Sequence, residues 1–393
     1  MQSSTTNDAL NPFPRYRLMR ESQPVFYQPQ HQFWQVFRYD DVQRVLSDYA
    51  SFSSVFGGSE GENPLGASLI SMDPPRHRQL RNLVTQAFTP RGVAQLTERI
   101  TAIVNQLLDA VAARGQTEHT GQTGNTGHMD IIDDLAYPLP VIVIAEMLGI
   151  PQEDRERFKI WSDIIVGAAT SGEGNPQAEM GAYFLNMIEQ RSRERKDDLI
   201  SALLDAQIDG EHLDLRELLG FCILLLVAGN ETTTNLIGNA LLCFDEHPEV
   251  FEQLRTEPEL IPGAIEEVLR YRSPVQFMYR RAAADITFKD QKIREGQMVL
   301  AWIGSANRDE AQFPNADDFD IKRTPNRHIA FGHGIHFCLG APLARLEAKI
   351  ALTMLLERFH DIKRVPGVKL EETGSDIVFG VKHLPITFRQ GAK

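Results

Sequence analysis

Apolar residues recur along most of this chain at three- and four-residue intervals, the period of a helix with one buried face. From Arg91 to Arg114 they fall at Val93, Leu96, Ile100, Ile103, Val104, Leu107, Leu108 and Val111, which predicts one long amphipathic helix. The same spacing predicts a short helix over Tyr39 to Ser47, with Val42, Val45 and Leu46 on its inner face. Further helices are expected over Tyr137 to Leu148, Pro151 to Val166, Glu179 to Arg195, Leu213 to Phe244, Ile261 to Tyr271 and Leu339 to Phe359. Strand-like segments are few. Val25 to Val36 reads as two short strands around a turn, and Ile286 to Val299 as short strands. The tail from Ile377 to Phe388 reads as strand interrupted at Gly380 and Pro385. Gly115 to His128 is a run of Gly, Thr, Gln, Asn and His with no apolar period, so a flexible surface loop is expected there. No repeat of roughly 20 to 50 residues is present. The balance predicts a mainly α fold with a minor β region (α+β), with residues 1–393 as one large domain.

Composition narrows the possible functions. Of 393 residues, 42% are hydrophobic and 24% charged, enough for a sizeable core and a well-solvated surface. The formal charge of −13 disfavours binding to a phosphate backbone, so no nucleic-acid partner is expected. The longest strongly apolar run, Phe221 to Ala228, is far short of the roughly 20 residues that span a bilayer, so no membrane span is expected. Met1 to Pro14 is polar and resembles no export signal, which predicts a cytoplasmic location. Three widely spaced cysteines, Cys222, Cys243 and Cys338, argue against a disulfide framework and fit a reducing compartment.

The most informative segment is Phe331-Gly-His-Gly-Ile-His-Phe-Cys-Leu-Gly340, which leads into a helix bearing Leu343, Leu346, Ile350 and Met354 on one side. A lone cysteine is ordinarily an inert buried thiol. Cys338, however, sits just ahead of a helix, where unpaired backbone N–H groups and the positive end of the dipole favour an anion. A lowered thiol pKa and a thiolate are therefore expected. Gly332, Gly334 and Gly340 allow a flat ligand to approach the main chain closely. A second segment, Phe221-Cys-Ile-Leu-Leu-Leu-Val-Ala-Gly-Asn-Glu-Thr-Thr-Thr234, interrupts an apolar helix with polar residues in mid-run. There Gly229 costs about 1 kcal/mol against alanine, and Thr232 is placed to bond back to the carbonyl of Ala228 and bend the helix.

Phe331, Gly334, His336, Cys338 and Gly340 fill the main positions of the cysteine-loop signature of the cytochrome P450 family, which the chain resembles from Asp73 to Pro385. The resemblance implies the cytochrome P450 fold, with haem between a long central helix and the helix following the cysteine loop. It implies haem b (iron protoporphyrin IX) as cofactor, with Cys338 as the axial iron ligand donating electron density that favours O–O cleavage. Ala228-Gly-Asn-Glu-Thr232 resembles the oxygen-activation motif, so Thr232 would position dioxygen and water on the opposite face while Glu231 helps relay protons. Glu267-Val-Leu-Arg270 taken alone is an ordinary helical ion pair worth about 0.2–0.5 kcal/mol. In the family, Glu267, Arg270 and Arg323 would form a structural network behind the haem. His77, Arg81, Arg280 and His336 match the partners of the haem propionates, which need cations or donors if they are to be buried. Phe331, Ala228 and Gly340 complete the implied cofactor contacts.

The function implied is a monooxygenase that inserts one atom of dioxygen into an apolar or amphipathic small molecule, such as a polyketide, terpene, steroid or fatty acid. No flavin or ferredoxin module is expected within the chain, so electrons originating in NAD(P)H would come from a ferredoxin or flavodoxin with its reductase. Arg76, Arg78, Arg345 and Lys349 are the candidate basic docking patch, and a monomer is expected. By resemblance alone, the substrate pocket would include Phe56, Leu65, Leu69, Leu224, Leu225, Val275, Phe277 and Phe379. A lid over Val166 to Asn175 would use the freedom of Gly167, Gly172 and Gly174. Two other readings are a peroxide-driven peroxygenase, which would carry a different pair than Glu231 and Thr232, and a non-catalytic haem-thiolate sensor or carrier, which needs no proton relay.

Overall fold

The computed structural model describes residues 10–56, 64–117, 126–165, 175–207 and 210–390. Its axis is the helix Leu215–Glu246, 32 residues and about 48 Å long at the standard rise. The start is fixed by a reciprocal cap. The Asp214 carboxylate accepts from the Glu217 N–H at 2.8 Å, and the Glu217 carboxylate accepts from the Asp214 N–H at 2.9 Å. From Thr233 to Phe244 every residue is buried, as expected of a helix that is mostly apolar on all sides. Helices Pro138–Met147, Ile261–Tyr271 and Ala341–Arg358 pack around it and bury those sides. Among the described residues, no helix is long and apolar enough to cross a membrane.

The β structure is small and lies to one side. One sheet runs Val25–Gln28, Phe33–Val36, Met298–Ala301, Met278–Ala282, Phe52–Ser53. Only Phe33–Val36 and Met298–Ala301 are parallel, with Phe33 opposite Met298, and the other pairs are antiparallel. Its inner face and the helix Tyr39–Ser47 enclose a second core cluster that includes Val36, Val42, Val45, Phe52 and Val299. The expected strands in Ile286 to Val299 form a hairpin, Ile286–Phe288 with Gln291–Ile293, followed by Met298–Ala301.

Several expectations are corrected. The Arg91 to Arg114 stripe is divided into Pro90–Gln95 and Thr97–Thr117, with Leu96 as the joint. There the Thr97 hydroxyl donates to the Ala94 carbonyl at 2.7 Å and the Leu96 N–H closes a tight turn onto Val93, competing with the regular helical ladder. The buried stripe itself is as expected, with Ile100, Ile103, Val104, Leu108 and Val111 in the core. The loop expected over Gly115 to His128 is curtailed at both ends, because the helix continues to Thr117 and Thr126–Asp130 is a strand. That strand pairs with Pro385–Gln390, placing Met129 opposite Ile386. Backbone bonds hold it despite weak strand composition, and a Cβ on Gly127 would meet the Phe388 ring at 2.5 Å. Residues 118–125 lie outside the described residues, as does the expected lid from Val166 to Gly174. The helix expected from Pro151 opens as a 3-10 turn, Gln152–Asp154, before Arg155–Ile165, and that expected from Glu179 is Pro176–Arg193. In the tail, Ile377 to Leu384 makes only isolated bridges, Val275 to Val378 and Glu372 to Val381, and the strand begins at Pro385.

Glu267 and Arg270 are not a surface pair, since both are 0% exposed. Arg270 donates to both Glu267 oxygens, at 2.8 and 2.7 Å, and to the carbonyls of Asn307, Ala316 and Asp318. The Glu267 carboxylate also accepts from Arg323 Nε at 3.2 Å, the Asp320 N–H at 2.9 Å and Asn326 at 3.1 Å. This knot, centred on Glu267 and Arg270, pins the long segment that precedes the cysteine loop. Arg270→Ala leaves the Glu267 charge buried with too few donors and should cost about 3–5 kcal/mol of stability, read by urea denaturation. Arg270→Lys should not restore it, because one ammonium cannot reach five separate acceptors.

Candidate active site

The loop Phe331–Gly340 folds back on itself, with the Cys338 N–H donating to the Phe331 carbonyl at 2.9 Å. Gly332 and Gly334 take φ of 74° and 73°, which only glycine adopts without strain. A Cβ on Gly334 would also meet Ser47 Cα at 2.8 Å, so the loop packs directly on the helix Tyr39–Ser47. The helix Ala341–Arg358 follows at once, and the backbone N–H groups of Gly340 and Ala341 point at the Cys338 sulfur.

Those donors do not produce a thiolate by themselves, contrary to the expectation from sequence. Loss of solvent pushes the Cys338 thiol up, and this outweighs the opposing pull of the two N–H groups, Arg81 and Arg345. A bound metal cation reverses the balance by direct coordination.

Facing the cysteine loop, the central helix presents Phe221, Leu224, Leu225, Ala228 and Thr232 to one cavity, positions that share a helix face. The Thr232 hydroxyl donates to the Ala228 carbonyl at 2.8 Å, as its placement in the sequence suggested. Asn235 donates to the Glu231 carbonyl at 2.8 Å, a second side-chain bond to a helix carbonyl within this turn. Cys338, Leu339, Gly340 and Leu343 line the opposite wall. Glu231, one residue from Thr232, is turned out of the cavity lining.

Cations gather at one edge of this cavity. The Arg280 guanidinium, in a residue 4% exposed, donates to the neighbouring Tyr279 carbonyl at 2.7 Å and to no other group among the described residues. Burial pushes it down to about 10, with Asp73 pulling the other way. Arg81 donates to the Phe337 carbonyl at 2.8 Å. His336 meets the Ser54 hydroxyl at 3.0 Å, and burial together with Arg280, His77 and Arg81 pushes it down to about 3. His77 is buried with its ring 4.3 Å from that of His336, and its Nε2 has no partner among the described residues. Asp73 is the nearby carboxylate, already accepting from Ser53 at 2.5 Å and from the Ser54 N–H at 3.1 Å. Buried donors in excess of acceptors suit a ligand bearing carboxylates, and small or flat wall residues suit a planar body. Haem fits this set: a sulfur on one wall, apolar surfaces above and below, and cations where its propionates would lie.

Of the expected substrate-pocket residues, Leu69, Leu224, Leu225 and Val275 line the cavity. Phe277 instead packs on Trp302 at 4.7 Å, and Phe379 on Phe13 at 5.9 Å, both away from it. Phe56 is 42% exposed, and the Leu65 side chain lies outside the described residues. Sequence reasoning missed Phe221, although it lies one turn before Leu224 and Leu225 on the same stripe. Ile144, which also lines the cavity, comes from a separate helix that carries no such signal. In the expected docking patch, Arg76 is engaged bidentately by Glu217 and Arg345 by Glu266, leaving Arg78 and Lys349 exposed.

Glu347 was also missed. It lies in the cavity wall, 1% exposed, and its Oε2 has no partner among the described residues. Its place between Leu343 and Ile350 on the apolar stripe was the available signal. Burial pushes its carboxyl up to about 8, from an ordinary 4.5. The folded protein therefore keeps a proton that the unfolded chain has released. Its contribution to stability is complete below the ordinary value and is lost as pH rises through about 8. Relative to Glu347→Gln, the wild-type protein should lose about 1.4 kcal/mol per pH unit between those limits, measured by urea denaturation across the range.

The Cytochrome P450 family profile matches residues 16–170 and 176–387. Cytochrome P450 109 of Bacillus spizizenii is 46% identical over 396 residues, covering 97% of this chain and 93% of that protein. Putative cytochrome P450 YjiB of Bacillus subtilis is 44% identical over 393 residues, covering 97% and 95%. The crystal structure of CYP109E1 from Bacillus megaterium in complex with testosterone is similar at a TM-score of 0.89 and 43% identity, covering 99% of this chain and 100% of that one. The match runs through the cysteine loop, the central helix and the buried glutamate–arginine knot alike. This chain belongs to the cytochrome P450 family and is a monooxygenase.

Proposed function

We propose that the protein is a single haem domain that hydroxylates or epoxidises an apolar or amphipathic small molecule, steroid-like, polyketide, terpene or fatty acid, with Cys338 as the axial ligand of haem b. The observation that carries this reading is that Cys338 and Thr232 line opposite walls of one apolar cavity whose edge has more buried donors than acceptors. Bound haem supplies the iron at which dioxygen is reduced and one oxygen atom is transferred. His77, Arg81, Arg280 and His336 hold its propionates. The Thr232 hydroxyl spends its proton on the Ala228 carbonyl, so its lone pairs face the cavity and accept from a water or a protonated oxygen there. Glu231 delivers protons to that hydroxyl through water from outside the lining. Leu69, Leu224, Leu225, Val275 and Phe221 exclude solvent and hold the substrate by contact alone, which suits a rigid apolar body. The testosterone complex of CYP109E1 supports the steroid-sized class.

Electrons are proposed to come from NAD(P)H through a ferredoxin or flavodoxin with its reductase, docking to a monomer at the face that carries Arg78 and Lys349. Reversing both to Glu should slow reduction by a ferredoxin several-fold at low salt and little at high salt, and an unchanged rate contradicts the assignment.

Thr232→Ala tests the chemistry. Product formation should fall by about 10²-fold while NAD(P)H oxidation continues, the balance appearing as hydrogen peroxide. Undiminished coupling would remove Thr232 from the relay. Full turnover with added hydrogen peroxide and no redox partner would favour a peroxygenase.

A further inference from the structure

A second cleft, about 790 Å³ in volume, opens between the helix Phe13–Ser22, the end of the central helix and the segment around Arg364 to Leu370. It shares no wall residue with the haem cavity. Five cationic side chains, Arg17, Arg272, Arg308, Arg364 and Lys369, stand on its walls against two carboxylates, Glu246 and Asp317. In a chain carrying −13 overall, that local sign is opposite to the rest.

The charges are partly matched. Glu246 binds Arg272 at 2.5 Å, and Asp317 binds both Arg308, at 3.1 Å, and Arg17. From outside the walls, Glu310 binds Arg17 at 2.9 Å and Asp245 approaches Arg364 at 3.4 Å. Lys369 has no ion pair among the described residues, so one positive charge remains at the rim.

Deeper in, the match is poorer than the pairing suggests. Arg308 is 3% exposed, its guanidinium held between the rings of Phe13 at 3.9 Å and Tyr271 at 3.4 Å, and burial pushes it down to about 10. Arg272 is 8% exposed and its Nε has no acceptor. A rigid guanidinium with a spare donor and the unpaired Lys369, beside apolar surface from Phe13, Leu242 and Val368, suit a carboxylate carried on an apolar body.

We infer that this cleft is a binding site for an amphipathic organic anion, separate from the haem cavity, with the carboxylate toward Lys369 and the guanidinium groups and the apolar body against Phe13, Leu242 and Val368. Its wall includes Leu242 and Glu246 of the central helix, and Asn239 one turn earlier donates to the Arg272 carbonyl at 3.1 Å. An occupant therefore touches the helix that carries Thr232.

The test uses the holoprotein, with 2-naphthoate as anionic probe and 2-naphthamide as its neutral isostere, followed by calorimetry. Naphthoate should bind, and the amide should bind about tenfold more weakly or worse. The exposed double substitution Arg364→Glu with Lys369→Glu, and separately Val368→Trp, should each weaken naphthoate by about tenfold or more while leaving the haem absorption spectrum unchanged. Three results would overturn the inference: no binding to the wild-type protein, equal binding of the amide, or unaltered affinity in both variants. Naphthoate that shifts the haem absorption band is in the central cavity, and that outcome also counts against a separate site.

Discussion

The structure depends on an open cavity between the central helix and the segment formed by the cysteine loop and the start of the helix after it. The central helix and the helix after the cysteine loop are both buried, and buried apolar faces ordinarily close on each other until no gap remains. Here the approach is limited. Thr232 and Asn235 donate to helix carbonyls within one wall, while Gly332 and Gly334, at positive φ, turn the loop that forms the other. The Glu267 and Arg270 knot fixes the chain leading into the cysteine loop, so the second wall cannot drift toward the first.

The same slot sets the electrostatics. Within it, solvent is lost faster than compensation is gained, and each titratable group moves toward its neutral form: the Cys338 thiol up, the Glu347 carboxyl up, Arg280 and His336 down. A ligand that brings a metal cation opposite the sulfur and carboxylates opposite the arginines answers most of these strains at once. A cofactor that binds the folded chain alone would therefore make the protein more stable.

How much of this was legible depended on the range over which each feature is determined. The cysteine loop, the hydrogen bond from Thr232 to Ala228 and the extent of the central helix are local, and their residues announce them. The Glu267 and Arg270 pair was readable only through resemblance, because spacing alone describes an ordinary surface pair. Long-range geometry escaped. Phe277 and Phe379 turn toward Trp302 and Phe13 because the flanking sheet and the first helix, not the local pattern, decide which face is inward. Thr126–Asp130 is a strand because Pro385–Gln390, far along the chain, offers it a partner. The sign of the Cys338 shift was misjudged for a related reason: the helix start is visible in sequence, whereas the depth of burial that overrides it is not.

The most direct test of the account is the absorption spectrum of the reduced protein with carbon monoxide. Thiolate ligation by Cys338 predicts the strongly red-shifted Soret band that distinguishes a sulfur ligand from a nitrogen one, and its loss in Cys338→His. A wild-type spectrum of the histidine-ligated kind, or a red-shifted band that survives the substitution, would contradict the assignment.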